Sequence, residues 1–526
     1  LKVLLVEPTY RKNVESFIKS KTSPAKSTSR KKDSDQTLWY PPIGLMKLSS
    51  FHKSRGDEVK FVIGNDKSLL SDGPLFSSLW DRVYISSLFT FDWENTIATI
   101  NFYKDIVGNS VHKIYVGGIM ATLMPQELFA ETGIFPVKGL LNSAERIDLP
   151  DKTNIDLLTP DYDILDNRIY AINETFYAYT TRGCENKCPW CGVPDIEPKF
   201  EHYIDIKPMI KEMRSRYGDL PKLKLMDNNV LVSNRFADIV EDLLMLGYGR
   251  SCYTETNPRR LRVIDFNQGL DASHINEETI KLLARLNIKP MRIAFDRLKE
   301  KDMYVQALRL AHRYGFNEFS NYMLYNCHDT PRDLYDRLII NIALNEEWRA
   351  EKKEKRGAVY SYPMRFAPIR HSKGESKKRD YEATRSESNY DYFKEATWTK
   401  RFTRNIEVIK GAAHGAISPT PELARRAIGA SYDEFITNLY MPEELLRNRN
   451  KYERKRYKND KKRPPGTGDI EKFRKFILKL LKKQNEEFLE FHEVVSDGSK
   501  EAVRKYMDKC KNKEVMKWLS FYLQKN

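Results

Sequence analysis

The first 145 residues alternate between two rhythms of hydrophobic and polar positions. Lys2–Glu7 is a short apolar run that stops at Pro8, the pattern of a strand buried on both faces. Glu58–Ile63, Arg82–Leu88 and Lys113–Val116 are further β-rich runs, and between them Gly44–Ser54 and Trp93–Tyr103 set apolar side chains at helical spacing. This alternation predicts a doubly wound parallel sheet, with ligands beyond the carboxyl ends of its strands. The polar stretch Arg11–Thr37 interrupts it and is expected to be a surface loop.

Residues 146–175, with Pro150 and the Thr159–Asp163 turn, read as a linker. Beyond it, strand patterns recur at Phe176–Thr181, Lys222–Met226, Val263–Phe266, Met291–Phe295, Glu318–Leu324 and Val359–Met364. Helical stretches such as Asn276–Leu286 and Tyr304–Tyr314 separate them, so a full or partial parallel β/α barrel is predicted. After residue 370 strand patterning stops. His371–Arg385 is charged and expected to be exposed, and 421–445 and 468–524 read as helices. The predicted class is therefore α/β in three parts: a doubly wound sheet (1–145) and, past the linker, a barrel (176–370) and a helical basic region (371–526).

Charge adds a partner class. The 526 residues carry 89 Lys+Arg against 73 Asp+Glu, a net +16, which favours an acidic partner such as nucleic acid. The excess concentrates in Leu446–Arg463, with ten basic residues and two acids. Arg447, Arg449, Lys451, Arg454, Lys455, Arg456 and Lys458 suit phosphate contacts, with Tyr452 and Tyr457 as stacking partners. The alternative is a solvated linker ahead of an amphipathic helix, Ile470–Gln484. No apolar run reaches the ~18 residues of a membrane span. The N-terminal apolar stretch is too short for a signal peptide, and the six cysteines form no disulfide framework, so a reducing cytoplasm and no membrane partner are expected.

Three of those cysteines crowd together: Thr181-Arg182-Gly183-Cys184-Glu185-Asn186-Lys187-Cys188-Pro189-Trp190-Cys191. Three thiolates on one loop after a strand suit three irons of a four-iron, four-sulfur cube, leaving one iron open. A zinc knuckle or plain buried thiols is the alternative for the same residues. The spacing, with Trp190 before the last cysteine, resembles the radical S-adenosylmethionine superfamily. That resemblance implies a [4Fe-4S] cluster on Cys184, Cys188 and Cys191 that binds S-adenosylmethionine. It further implies reductive cleavage to a 5′-deoxyadenosyl radical, hydrogen abstraction from a substrate, and an electron donor such as flavodoxin or ferredoxin.

The resemblance extends to strand ends. Asp227 and Asn228 stand where the family supports the methionine amino group, with an ordinary turn as the alternative. Asn267, Gln268 and Asp271 suit a ribose or polar substrate, or else an Asx turn. Arg292 suits the cofactor carboxylate, or a salt bridge within the strand. Tyr325 and Cys327 are candidates for returning a hydrogen atom, against a buried inert thiol.

The first domain is similar to the cobalamin-binding-type domain of one subgroup, through Tyr40-Pro41-Pro42-Ile43-Gly44-Leu45, Val116-Gly117-Gly118 and Pro125-Gln126-Glu127-Leu128. The subgroup's common Asp-x-His-x-x-Gly does not occur, so bound cobalamin is disfavoured. The dispersed Cys252, Cys327 and Cys510 argue against a second cluster. The leading functional expectation is nucleoside modification in tRNA or DNA. Cobalamin-dependent methylation and peptide or small-metabolite chemistry stand behind it, and a nucleic-acid-binding protein with a structural or redox-sensing cluster is the rival of another class.

Overall fold

A computed structural model describes residues 1–8, 39–70, 80–351, 356–366, 370–371, 382–383, 397–411, 415–456 and 467–523. Arg11–Thr37 and most of His371–Arg385, together with Tyr457 and Lys458, lie outside them. The chain divides into two units: Leu1–Gln268 with Lys281–Lys289 and Pro368–Asn389, and Gly269–Ile280 with Pro290–Ala367 and Tyr390–Asn526.

In the first unit β1 (Lys2–Glu7), β2 (Glu58–Ile63), β3 (Arg82–Ser87) and β4 (Ile114–Gly118) form an all-parallel sheet in the order β2-β1-β3-β4. The two-residue side-chain period of β1 splits its apolar residues between two cores. Leu4 and Val6 join Val83, Ile85 and Val116 against the helices Trp93–Ile106 and Pro125–Thr132. Val3 and Leu5 join Leu45, Leu48 and Phe51 of the helix Ile43–Ser54 on the other face. Each fully buried Leu or Val side chain contributes about 1.5–3 kcal/mol.

Residues 146–175 carry short helical turns entered through Asn154 and Asp161, whose side chains accept the N–H two residues on. Asp161 also accepts from Ser49 at 2.7 Å and pairs with Lys53 at 2.8 Å, which ties this segment to the helix Ile43–Ser54. β5 (Thr175–Ala178), β6 (Lys222–Leu225) and β7 (Val263–Phe266) follow as a second parallel sheet.

In the second unit β8 (Met291–Arg292), β9 (Glu318–Tyr325) and β10 (Ala358–Arg365) make a third parallel sheet. The strands expected in one barrel are thus hydrogen-bonded as two three-stranded sheets. The reason is local: beyond β6, β7 makes a single bridge, Ile264 to Ile288, and β8 shortens to two residues. The extended chain continues nonetheless, since Ile293 and Phe295 donate to Ser320 and Tyr322.

The helix Pro331–Ala350 starts at a reciprocal cap between Thr330 and Asp333 with Pro331 in its first turn. The helical pattern expected over 421–445 is broken into Pro421–Ile428, Tyr432–Tyr440 and the start of Glu443–Arg456. Gly429 at φ +115 stops the first, and Ser431 caps the second. The segment 446–456, expected between helices, is itself helical. Four further helices (Thr467–Lys483, Glu486–Asp497, Lys500–Met507, Lys513–Leu523) pack around Phe473, Phe476, Phe491 and Trp518. Among the described residues, no helix is long and apolar enough to cross a membrane.

Candidate functional site

The cysteine loop leaves the carboxyl end of β5, and its entry is held from the neighbouring strand. Asp227, just past β6, accepts at one oxygen from Thr180 N–H (2.8 Å) and Oγ1 (2.7 Å) and from Thr181 N–H (2.5 Å) and Oγ1 (2.8 Å). Its other oxygen, Oδ2, is buried without a hydrogen-bond partner. Burial pushes the Asp227 carboxyl above the usual carboxylate range, against the pull of the threonine bonds.

Gly183 sits at φ +78, and a Cβ there would meet the Lys199 carbonyl oxygen at 2.7 Å, so this step of the motif requires glycine. The Gly183 N–H donates to Glu197 Oε2 at 2.5 Å, and Asn228 Nδ2 donates to the same oxygen at 2.9 Å. Glu197 Oε1 accepts from Arg182 at 3.0 Å, and Arg182 also grips Asp156 at 2.5 and 2.9 Å. Lys47, from the helix Ile43–Ser54, completes the group with an ion pair to Asp156 at 3.2 Å. Burial and the adjacent Arg182 lower the Lys47 pKa, with Asp156 opposing; the half-buried Asp156 is held low by Lys47 and Arg182 against its own desolvation.

Cys184, Cys188 and Cys191 are half-buried thiols outside any disulfide, and the Cys191 N–H donates to the Cys188 carbonyl at 3.1 Å across a turn that carries Trp190. Among the described residues, no three His, Cys, Asp or Glu side chains are grouped to hold a single metal ion. Thiolates that each bind a different iron of a cube have no need to converge on one point. The donor set, three half-buried thiols on a preset loop with an orphaned carboxylate oxygen beside its root, fits a cluster with a small polar ligand.

The other predicted residues are dispersed. Asn267, at the end of β7, accepts from Tyr40 at 2.9 Å, and Lys224 donates to the same tyrosine oxygen at 3.0 Å. Gln268 is exposed. Asp271 and Arg292 belong to the second unit. Asp271 accepts from Ser273 N–H (3.0 Å) and Oγ (2.6 Å), forming the Asx turn of the alternative reading. Arg292 donates to Ser320 Oγ at 3.3 Å and lies over the Tyr322 ring.

Tyr325 and Cys327 are both buried. The Tyr325 hydroxyl donates to Glu407 at 3.3 Å, and the Cys327 N–H donates to Asp329. Arg449 is not a surface phosphate contact: at 1% exposure it donates to the Ala427 and Arg426 carbonyls at the end of the helix Pro421–Ile428. Arg447 pairs with Glu443, while Lys451, Arg454, Lys455 and Arg456 continue that helix backbone.

Sequence reasoning missed Lys47, Asp156, Arg182 and Glu197 as a group. Arg182 stood beside the motif, but its partners lie 15 and 26 residues away and Lys47 lies 109 residues from Asp156. No local pattern links them.

No protein-family model and no curated protein matches this chain. Among solved structures, it is similar to one described as apo, selenomethionine-labelled OxsB, a cobalamin-dependent S-adenosylmethionine radical enzyme. The likeness has 14% identity and a TM-score of 0.46, over 65% of this chain and 52% of that one, so this chain spans about half of that structure's length.

Cobalamin held through histidine does not fit the first sheet. His52 is buried, with its ring nitrogens bonded to Asp57 (2.7 Å) and Tyr84 (3.0 Å), and His112 precedes β4 at its amino end. No histidine stands at the carboxyl ends of these strands among the described residues.

Proposed function

We propose that this chain is a radical S-adenosylmethionine enzyme acting on a nucleoside of tRNA or DNA. The reading rests on one observation above the others: the C-x3-C-x2-C loop leaves a parallel strand on a backbone preset by Gly183 and by the Asp227 bonds. When bound, the cluster and S-adenosylmethionine supply one-electron cleavage to a 5′-deoxyadenosyl radical that abstracts a substrate hydrogen. The chain's own residues hold and orient. Cys184, Cys188 and Cys191 are the thiolate ligands, Asp227 anchors the loop and offers Oδ2 as an acceptor for an ammonium group, and Asn267 with Tyr40 offers polar contacts at the end of β7. The nucleoside assignment is supported by the net charge of +16.

Anaerobic reconstitution with iron and sulfide, read by electron paramagnetic resonance, tests the reading. A reduced four-iron signal that changes on adding S-adenosylmethionine, with deoxyadenosine formed under reduction, is expected. Cys188→Ala should abolish both. A cluster indifferent to S-adenosylmethionine, or bound zinc instead of iron, would sink the proposal.

A further inference from the structure

Two cations and two anions lie behind the cysteine loop, three of them buried and Asp156 half-buried, and the function proposed above uses none of them. Lys47, Arg182 and Glu197 are 4%, 7% and 8% exposed, so each charge depends on its partners to remain in the interior. Glu197 is the hub: one oxygen takes the Arg182 guanidinium, and the other takes the N–H of Gly183, the residue directly before Cys184. The guanidinium also lies over the Tyr179 ring, 3.3 Å from its centroid, and the Arg182 backbone pairs with Glu201 in both directions (3.1 and 2.8 Å).

We propose that Lys47, Asp156, Arg182 and Glu197 are positioning residues that preset the cysteine loop for cluster binding, with Glu197 setting the direction of the Gly183 amide. This rests on the cluster reading above. The quartet has no net charge, so it adds little attraction for an anionic cluster and works through geometry instead. Removing the Glu197 charge leaves Arg182 with excess positive charge two residues from the ligand loop's first thiolate. A reduced cluster, more negative than an oxidised one, is then stabilised.

The test uses the full chain, reconstituted with ferrous iron and sulfide under anaerobic conditions. Glu197→Ala should weaken retention of iron against a competing chelator by about 10–100-fold, the scale on which outer-shell changes lower metal affinity, and broaden the resonance signal. Glu197→Gln keeps the volume and an acceptor for Gly183; it should keep the iron and shift the midpoint potential to more positive values. It also carries the test if Glu197→Ala does not fold. Thermal melting of the metal-free proteins separates general stability from loop geometry. Iron retention, line shape and potential unchanged in both variants would overturn the network alone, whereas a wild-type chain that takes up no cluster would overturn it together with the cluster reading.

Discussion

Gly183 concentrates the demands of the cysteine loop in one backbone position. Its φ of +78 and the 2.7 Å approach of the Lys199 carbonyl oxygen leave no room for a side chain. Gly183→Ala is expected to cost about 1–3 kcal/mol, measured by thermal unfolding, and to reduce iron retained after reconstitution. Glu7, at the end of β1, poses a different single-residue problem. Its carboxyl is buried and accepts from the Tyr170 hydroxyl, and burial, outweighing that bond, pushes its pKa from 4.5 up to about 7. Between these values the folded chain keeps a proton that the unfolded chain releases. Stability from this group is therefore fully present below pH 4.5 and falls as pH rises through about 7, by on the order of 3 kcal/mol. Urea unfolding from about pH 5 to about pH 8 should show that decline, and Glu7→Gln, neutral throughout, should flatten it. An identical slope in the variant would assign the dependence elsewhere. A strand was legible at Lys2–Glu7, but the burial of its last side chain was not, because Tyr170 lies 163 residues away.

At the scale of elements, the turn after β9 shows how a buried ion pair locks a strand to a helix. Arg337, on the helix Pro331–Ala350, pairs with Asp329 at 2.6 Å and donates to the Phe295, Asp296 and Leu324 carbonyls. Asp329 also accepts from Cys327 N–H and Trp398 Nε1. Arg337→Met should cost about 3–5 kcal/mol in chemical denaturation, because it strands a buried carboxylate. Adding Asp329→Asn to it should recover part of the loss; a double variant no better than the single one would mean that packing, not charge, dominates. Sequence periodicity placed most strands and several helices to within a few residues, since side-chain alternation is local. It overextended β8, where N–H groups bond onward without a continuous ladder, and it merged helices that Gly429 and Ser431 divide.

Across the whole molecule, the surplus of positive charge is the broadest functional signal, and the structure changes how it should be tested. Deleting 446–463 would remove Leu446 and Arg449, which are 0% and 1% exposed, and would damage the helical region itself. The triple variant Lys451→Glu, Arg454→Glu, Lys455→Glu is the sharper probe. Binding to duplex DNA or to single strands should weaken, and the slope of log K against log salt should become shallower by about 0.9 (duplex DNA) or about 0.7 (single strand) for each phosphate the helix no longer neutralises. Unaltered or salt-independent binding would remove nucleic acid as the partner of this helix. What the sequence determined by itself is what depends on neighbours in the chain: the period of the buried strands, the spacing of three cysteines, the glycine between arginine and cysteine. Tertiary structure alone decided which charges meet behind the loop, that Asp227 carries an orphaned oxygen, and that Arg449 caps a helix. Those outcomes depend on the low dielectric of the interior, where a polar group must find its partner wherever the fold brings one.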